Sequence, residues 1–238
     1  MIDTNTAFAG EVGTEVEAND NPVAKGRKNK ILVVIDMQVD FVMRYGRLPV
    51  KDAERTIIPG IGILVALDSE EYVAVLFTYD THTAKQYIGS LENIGDPETG
   101  APGFVIHCEK DTPGWELVLN PQLVPVDIPI YQLEKDVFDM FQKDGDETLV
   151  YQIPRYRPGA MFDQIGRNRE SFFDHVLPAS VDTAVVIGVA SDFCVKDAIV
   201  GLLKRGLKVE VIERATAGIL REIAQVVAEE FPGRVKII

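Results

Sequence analysis

Six short apolar runs recur from residue 31 onward: ILVVI at 31–35, YVAVLFTY at 72–79, IPIYQLEK at 128–135, TAVVIGVA at 183–190, LKVEVI at 207–212 and RVKII at 234–238. The first, second and fourth are apolar at nearly every position and rich in β-branched residues, as strands buried on both faces of a parallel sheet require. Between the runs the period changes to that of a helix. Pro59 is placed to start a helix whose face carries Ile61, Leu64 and Leu67, and beyond Cys194 a stripe of Val195, Ala198, Ile199, Leu202 and Leu203 marks another. Lys204 and Arg205 suit the last turn of that second helix, and Gly206 its stop. A further helix is expected over 217–230. Strands alternating with helices predict an α/β fold: a doubly wound, mostly parallel six-stranded sheet with helices on both faces, a Rossmann-like three-layer arrangement.

The pattern lapses in three places. Residues 1–29 show no period and are small, polar and charged, which predicts an arm; its Lys25, Arg27 and Lys28, with Lys30, read as a solvated lead-in to the first strand. Residues 83–128 are loop-like and carry the segment GDPETGAPG, and a long loop in a compact domain is usually functional. Residues 144–170 read as an insertion of mixed strand and loop within a domain spanning 30–238.

The chain of 238 residues suits one large α/β domain. Its net charge of −13 argues against a nucleic-acid or anionic membrane partner. Two cysteines make no disulfide framework, and no apolar run reaches membrane length, so a reducing, cytoplasmic setting is expected.

In an open parallel sheet, ligands bind outside the carboxyl ends of the strands. The polar residues of interest stand there: Asp36 closes the first strand, Asp80 and His82 follow the second, Lys135 closes the third, and Cys194 follows the fourth. A cysteine at a helix amino terminus beside an ammonium is expected to have a lowered pKa. Asp36 could take its proton and return it to a leaving group, the two halves of nucleophilic acyl transfer, while the N–H groups of Ala190 and Cys194 bind the oxyanion. Taken alone, a cysteine is more often a small buried hydrophobe than a nucleophile; the convergence with Asp36 and Lys135 reverses that reading.

The sequence Asp80-Thr81-His82 offers two ligand types at i and i+2, which an extended chain projects to one side, and His107 offers a third. A set of two histidines and a carboxylate leaves a divalent ion with open positions. Of the three histidines, His175 reads as structural. Cys108, adjacent to His107, reads as a bystander thiol rather than a ligand or a disulfide partner of Cys194.

Five blocks resemble the isochorismatase-like cysteine hydrolases, and within them the nicotinamidases: VVIDMQVDFV, LFTYDTH, FVIHCEKDTPGWEL, YQLEKDVFDMF and VVIGVASDFCVKDA, in the family's order over roughly residues 30–238. The resemblance implies an isochorismatase-like fold with a catalytic triad of Asp36, Lys135 and Cys194, and a cis peptide joining Val189 to Ala190 beside the oxyanion hole. It implies metal ligands Asp80, His82 and His107 for a divalent ion, zinc foremost and iron or manganese after it. Phe41 and Phe104 match aromatic wall positions, and Phe193 precedes the nucleophile. The implied reaction deamidates nicotinamide to nicotinate and ammonia through a thioester on Cys194. A homo-oligomer is expected. The insertion departs from the family pattern, and its Tyr151, Arg155, Tyr156 and Arg157 could form a lid, an oligomer contact or a selector for an anionic substrate, a dimer-stabilising flap being the plainest reading. The family's further histidine, about six residues after its Asp-x-His, is Ile88 here, which implies a smaller set of protein ligands.

Other readings use the same residues. A related amidohydrolase could act on a carbamoyl, ureido or maleamate-type amide with the same triad, though family members of that kind generally lack the metal set. A non-catalytic binding protein could retain the fold. A plain metallohydrolase would use activated water and tolerate loss of the thiol. The vinyl-ether hydrolases of the superfamily use no nucleophilic cysteine at this position, and Cys194 argues against them.

Overall fold

The computed structural model describes residues 28–95, 97–98, 100, 102–141, 149–154, 167–168 and 172–238. Residues 1–27 of the arm, and Arg155, Tyr156 and Arg157 of the insertion, lie outside the described residues. The strands are β1 (Lys30–Ile35), β2 (Tyr72–Asp80), β3 (Ile130–Lys135), β4 (Leu149–Gln152), β5 (Arg167–Asn168), β6 (Thr183–Val189), β7 (Lys208–Ala217) and β8 (Val235–Ile237). They form one eight-stranded sheet in the order β5-β4-β3-β2-β1-β6-β7-β8.

The six strands expected from the apolar runs are all present, and β3-β2-β1-β6-β7-β8 pair in parallel throughout. The expected count of six falls short because β4 and β5, both from the 144–170 insertion, extend the sheet antiparallel beyond β3. They fall in the stretch read as mixed strand and loop, where the runs are too short to mark separate strands of the sheet, since an edge ribbon needs no long apolar run.

Within β1, Leu32 and Val34 face one core while Ile31, Val33 and Ile35 face the other, the alternation of a strand covered on both sides. Short helix α1 (Val39–Val42) and helix α2 (Ile57–Val65) serve the first core, where Phe41, Val42 and Leu64 are buried. Helix α2 begins two residues before the expected Pro59. The loop region holds two one-turn helices, α3 (Ala84–Tyr87) and α4 (Leu91–Ile94). Helix α5 (Cys194–Lys204) buries Val195, Ala198, Ile199 and Leu202 in the second core, and each large side chain there stabilises the fold by about 1.5–3 kcal/mol. Gly206 has φ +79°, the left-handed conformation that ends α5.

Helix α6 (Ile223–Glu230) starts six residues later than expected from the sequence. The cause is Asp192, whose carboxylate accepts from the N–H groups of Ile219, Leu220 and Arg221 and holds that segment in a loop. Competition of this kind between an Asp side chain and the helix ladder is general. No helix among the described residues is long and apolar enough to cross a membrane.

Gly188, near the end of β6, has φ +127°, and a Cβ there would lie 2.1 Å from the carbonyl oxygen of Ile35 in β1. Gly188→Ala is therefore expected to lower the unfolding free energy by at least about 2 kcal/mol, read as a lower denaturant midpoint with an unchanged slope.

Candidate active site

The strand order changes direction beside β1: β2 and β3 lie to one side, and the chain returns on the other side as β6. This is the switch point at which a crevice opens outside the strand ends. Lys135, Asp80, Asp36 and Cys194 thus follow from four neighbouring strands, with Lys135 in register opposite Asp80.

Lys135 Nζ lies 2.8 Å from Asp36 Oδ2, 3.3 Å from Asp80 Oδ1 and 3.5 Å from Cys194 Sγ. Strands sit about 4.8 Å apart, so a side chain reaching from β3 past β2 toward β1 must be long and unbranched, which a lysine is. Lys135 is 2% exposed and Asp36 fully buried. Burial opposes the lysine's charge, but Asp36 and Asp80 foremost hold its pKa well above the ordinary lysine value. Asp36 has φ +45°, and its carboxylate accepts at Oδ1 from the hydroxyl of Thr78, 2.5 Å away.

Cys194 is the first residue of α5 and is 6% exposed. Its pKa is pushed well above the usual thiol range, first by burial; Lys135 opposes this, while Asp36, Asp80 and Glu92 add to it. Burial foremost, and the carboxylates after it, outweigh the lowering expected from the helix terminus and the ammonium. The peptide joining Val189 to Ala190 is cis, as the resemblance implies.

Asp80, His82, Glu92 and His107 form the second half of the site, with one ligand atom from each within 4.8 Å of all the others. Nε2 of His82 and Nε2 of His107 both lie 2.9 Å from Asp80 Oδ2. His107 donates Nδ1–H to the carbonyl of Val105 at 2.8 Å, which aims its Nε2 inward. A bridge between His82 and Glu109 brings the His107 loop alongside β2. His175 is exposed and stands outside the group; Cys108 and Cys194 are both free thiols.

Glu92 escaped the sequence reading. It lies in one-turn α4, ten positions after His82, where no spacing rule points to it. It is 3% exposed, and neither carboxylate oxygen has a hydrogen bond of good geometry, although His82 Nε2 lies 3.0 Å from Oε2. An orphaned buried carboxylate beside two imidazoles fits a divalent cation. Beside the three ligands expected from the sequence, Glu92 offers a fourth donor atom, whereas Ile88, 78% exposed, offers none.

The charges agree with that fit. Three carboxylates, Asp36, Asp80 and Glu92, are buried together around one lysine and two imidazoles. Burial opposes protonation of His82, yet Asp80 and Glu92 raise its pKa to about 10. Burial foremost, then Asp80, raises the pKa of Glu92. Asp80 stays ionised: burial would raise its pKa, but His82 and Lys135 hold it well below the carboxylate range.

Three further residues hold these groups in place. Gln38 exchanges two hydrogen bonds of 2.8 Å with the backbone of Asp80. Asp40 accepts from the N–H of Cys108 at 2.7 Å and from that of Arg47 at 3.0 Å, which ties the His107 loop to α1. Tyr87 lays its ring edge-on to His82 and His107, with its hydroxyl 3.1 Å from the carbonyls of Phe104 and Val105. The alternation of polar residues at 36, 38 and 40 in IDMQVDF was the available signal for Gln38 and Asp40.

The aromatic residues divide between the halves. Phe41 packs on His107 with ring centroids 5.0 Å apart. Phe104 meets Phe193 at 5.5 Å, and Phe138, unforeseen in the sequence, meets Phe193 at 5.4 Å.

No family model matches the chain. Among curated proteins it is similar to the nicotinamidase of Escherichia coli (strain K12), 27% identical over 199 residues that cover 80% of this chain and 84% of the relative. It is also similar to the nicotinamidase of Saccharomyces cerevisiae (strain ATCC 204508 / S288c), 24% identical over 77% of this chain and 85% of the relative. Among solved structures, the pyrazinamidase of Pyrococcus horikoshii in complex with zinc aligns with a TM-score of 0.60 at 22% identity, covering 88% of this chain and 98% of that one. PnC1 from L. infantum in complex with nicotinate aligns with a TM-score of 0.60 at 22% identity, covering 89% and 92%. An isochorismatase-like hydrolase from Alkaliphilus metalliredigens aligns with a TM-score of 0.58 at 17% identity, covering 88% and 93%. The fold is that of the isochorismatase-like hydrolases. The resemblance carried by the five sequence blocks holds, and the curated relatives it leads to are nicotinamidases.

Glu92→Ala is expected to weaken divalent-ion binding by at least about tenfold, measured by equilibrium dialysis with elemental analysis. Ile88→Ala should leave the affinity unchanged.

Proposed function

We propose that the chain is a metal-dependent cysteine amidohydrolase that converts nicotinamide and water to nicotinate and ammonia through a thioester on Cys194. One observation carries the reading: a single buried ammonium, Lys135 Nζ, touches a carboxylate, a thiol and a member of the metal-fitting group at 2.8, 3.5 and 3.3 Å. The similarity to two curated nicotinamidases supports the choice of substrate.

Asp36 takes the thiol proton as Cys194 Sγ bonds to the amide carbon. The N–H groups of Ala190 and Cys194 receive the developing oxyanion. Asp36 passes the proton to the amine as the C–N bond breaks, releasing ammonia and leaving the thioester. Water then attacks the thioester and gives a proton to Asp36. The C–S bond breaks, and Cys194 recovers its proton. Lys135 offsets negative charge on the sulfur through each step. Asp80, His82, Glu92 and His107 would hold a divalent ion, zinc foremost, which supplies an electrophilic anchor for the ring nitrogen. Phe41, Phe104 and Phe193 would bound a flat ring between that anchor and the nucleophile. The reading carries with it a cytoplasmic homo-oligomer whose hydrolase domain spans 30–238.

The test is ammonia release from nicotinamide by metal-replete protein. Cys194→Ala and Cys194→Ser are expected to lose activity, and His82→Ala to lose bound metal and most of its rate. Activity retained in Cys194→Ser would point to metal-activated water instead. A metal-replete wild type that releases no ammonia would remove nicotinamide as substrate, and carbamoyl and maleamate-type amides would be the next to assay.

A further inference from the structure

Thr78 is a fully buried hydroxyl in the central strand β2, within an otherwise apolar run, and nothing in the reaction outlined above assigns it a part. Its Oγ1 makes two contacts with one residue. It accepts from the N–H of Asp36 at 3.1 Å and lies 2.5 Å from Asp36 Oδ1. A hydroxyl has a single hydrogen. An N–H group can only donate, so that hydrogen is left for Oδ1, and the short separation is that of a hydrogen bond to an ionised carboxylate. Asp36 is thereby held in backbone and side chain at once, in a left-handed conformation (φ +45°) that a non-glycine residue rarely adopts.

The other oxygen differs. Asp36 Oδ2 is ion-paired with Lys135 Nζ at 2.8 Å but has no hydrogen bond of good geometry, and the same ammonium lies 3.5 Å from Cys194 Sγ. With Oδ1 engaged by the donated hydrogen and Oδ2 without a hydrogen bond of good geometry, Oδ2 is the oxygen better placed to take an arriving proton. We propose that Thr78 is a positioning residue that makes Oδ2 the proton-carrying oxygen of Asp36 and holds it against the Lys135 ammonium, which the thiol also faces. The assignment rests on the cysteine mechanism proposed above. The proton passes from Sγ to Oδ2 in the first half of the reaction and from Oδ2 to the departing amine in the second, so Thr78 itself neither gains nor loses one.

The experiment compares Thr78→Ala with Thr78→Ser. Valine is the poorer probe, because a methyl group would be pressed against Oδ1 at hydrogen-bond distance. Turnover is measured with nicotinamide and, in parallel, with an N-carbamoyl amide, alongside bound metal and thermal melting. Thr78→Ala is expected to lower kcat by about 10- to 100-fold, with KM and metal content unchanged, since a general base contributes about 10²–10⁴ and here only its alignment is lost. Thr78→Ser, which keeps the hydroxyl, should recover most of the rate. Wild-type kcat in Thr78→Ala, or a serine variant as slow as the alanine one, would overturn the assignment. Should Thr78→Ala fail to fold, Thr78→Cys fills the space with a weak donor and is judged by the same criterion. Wild type active on the carbamoyl amide alone removes the nicotinamide reading, and the role of Thr78 is then decided on that substrate. Wild type inactive on both removes the role together with the cysteine mechanism.

Discussion

The site depends on one buried ammonium. Lys135 has a side chain only 1% exposed, and taking such a charge from water costs several kcal/mol unless opposite charge receives it. Asp36 and Asp80 do so from the adjoining strand ends. The requirement runs both ways, since each carboxylate is buried as well and needs the lysine. Replacing any member leaves the others as uncompensated charges in a region of low dielectric, where such a loss is far more costly than at a surface. The central strands are apolar at almost every other position, and this supplies the rigid frame on which so expensive a cluster can be held.

Asp80 joins the two halves of the site. Its Oδ1 faces Lys135, while its Oδ2 faces both imidazoles. The metal-fitting group and the group of Lys135, Asp36 and Cys194 therefore meet at one carboxylate. A displacement of Asp80 by even part of an ångström would be felt by Lys135 and, through it, by Cys194. Gln38 guards against this by binding both the N–H and the carbonyl of Asp80, a use of a side-chain amide that matches the backbone's own donor and acceptor. Asp40 does the corresponding work for the loop bearing His107, and Gly114 packs so closely on it that a Cβ there would lie 2.3 Å from the Asp40 carboxylate.

What the sequence made legible follows from periodicity and from scarcity. Asp36, Asp80, Lys135 and Cys194 could be read because each ends or follows an unmistakable buried strand, and parallel topology collects such positions. His107 stood out because histidine is rare in this chain. Glu92 had neither aid: it sits in an irregular segment, and its part is fixed by the fold of residues 83–107 rather than by any local pattern. Thr78 and Gln38 were visible as polar residues in apolar text, but their partners lie 42 positions away, beyond anything spacing can reveal. The late start of α6 likewise depends on Asp192, 27 to 29 positions upstream. A helix terminus and a lysine beside Cys194 are evident in sequence, whereas burial and the three carboxylates that act against them are not.

The raised pKa of Cys194 bears on the chemistry. A thiolate held ready by a low pKa is abundant but a weaker nucleophile, because nucleophilicity falls with basicity. It is also exposed to oxidation, which follows thiolate character. Cys194 combines the opposite properties: a raised pKa, 6% exposure and a base connected to it through one ammonium. In the proposed reaction the thiol ionises as Asp36 takes its proton, beside the carbonyl that receives the sulfur, and this transfer demands alignment. That demand accounts for a carboxylate clamped at Oδ1 by Thr78 and ion-paired at Oδ2 with Lys135, in a backbone conformation that a non-glycine residue rarely adopts.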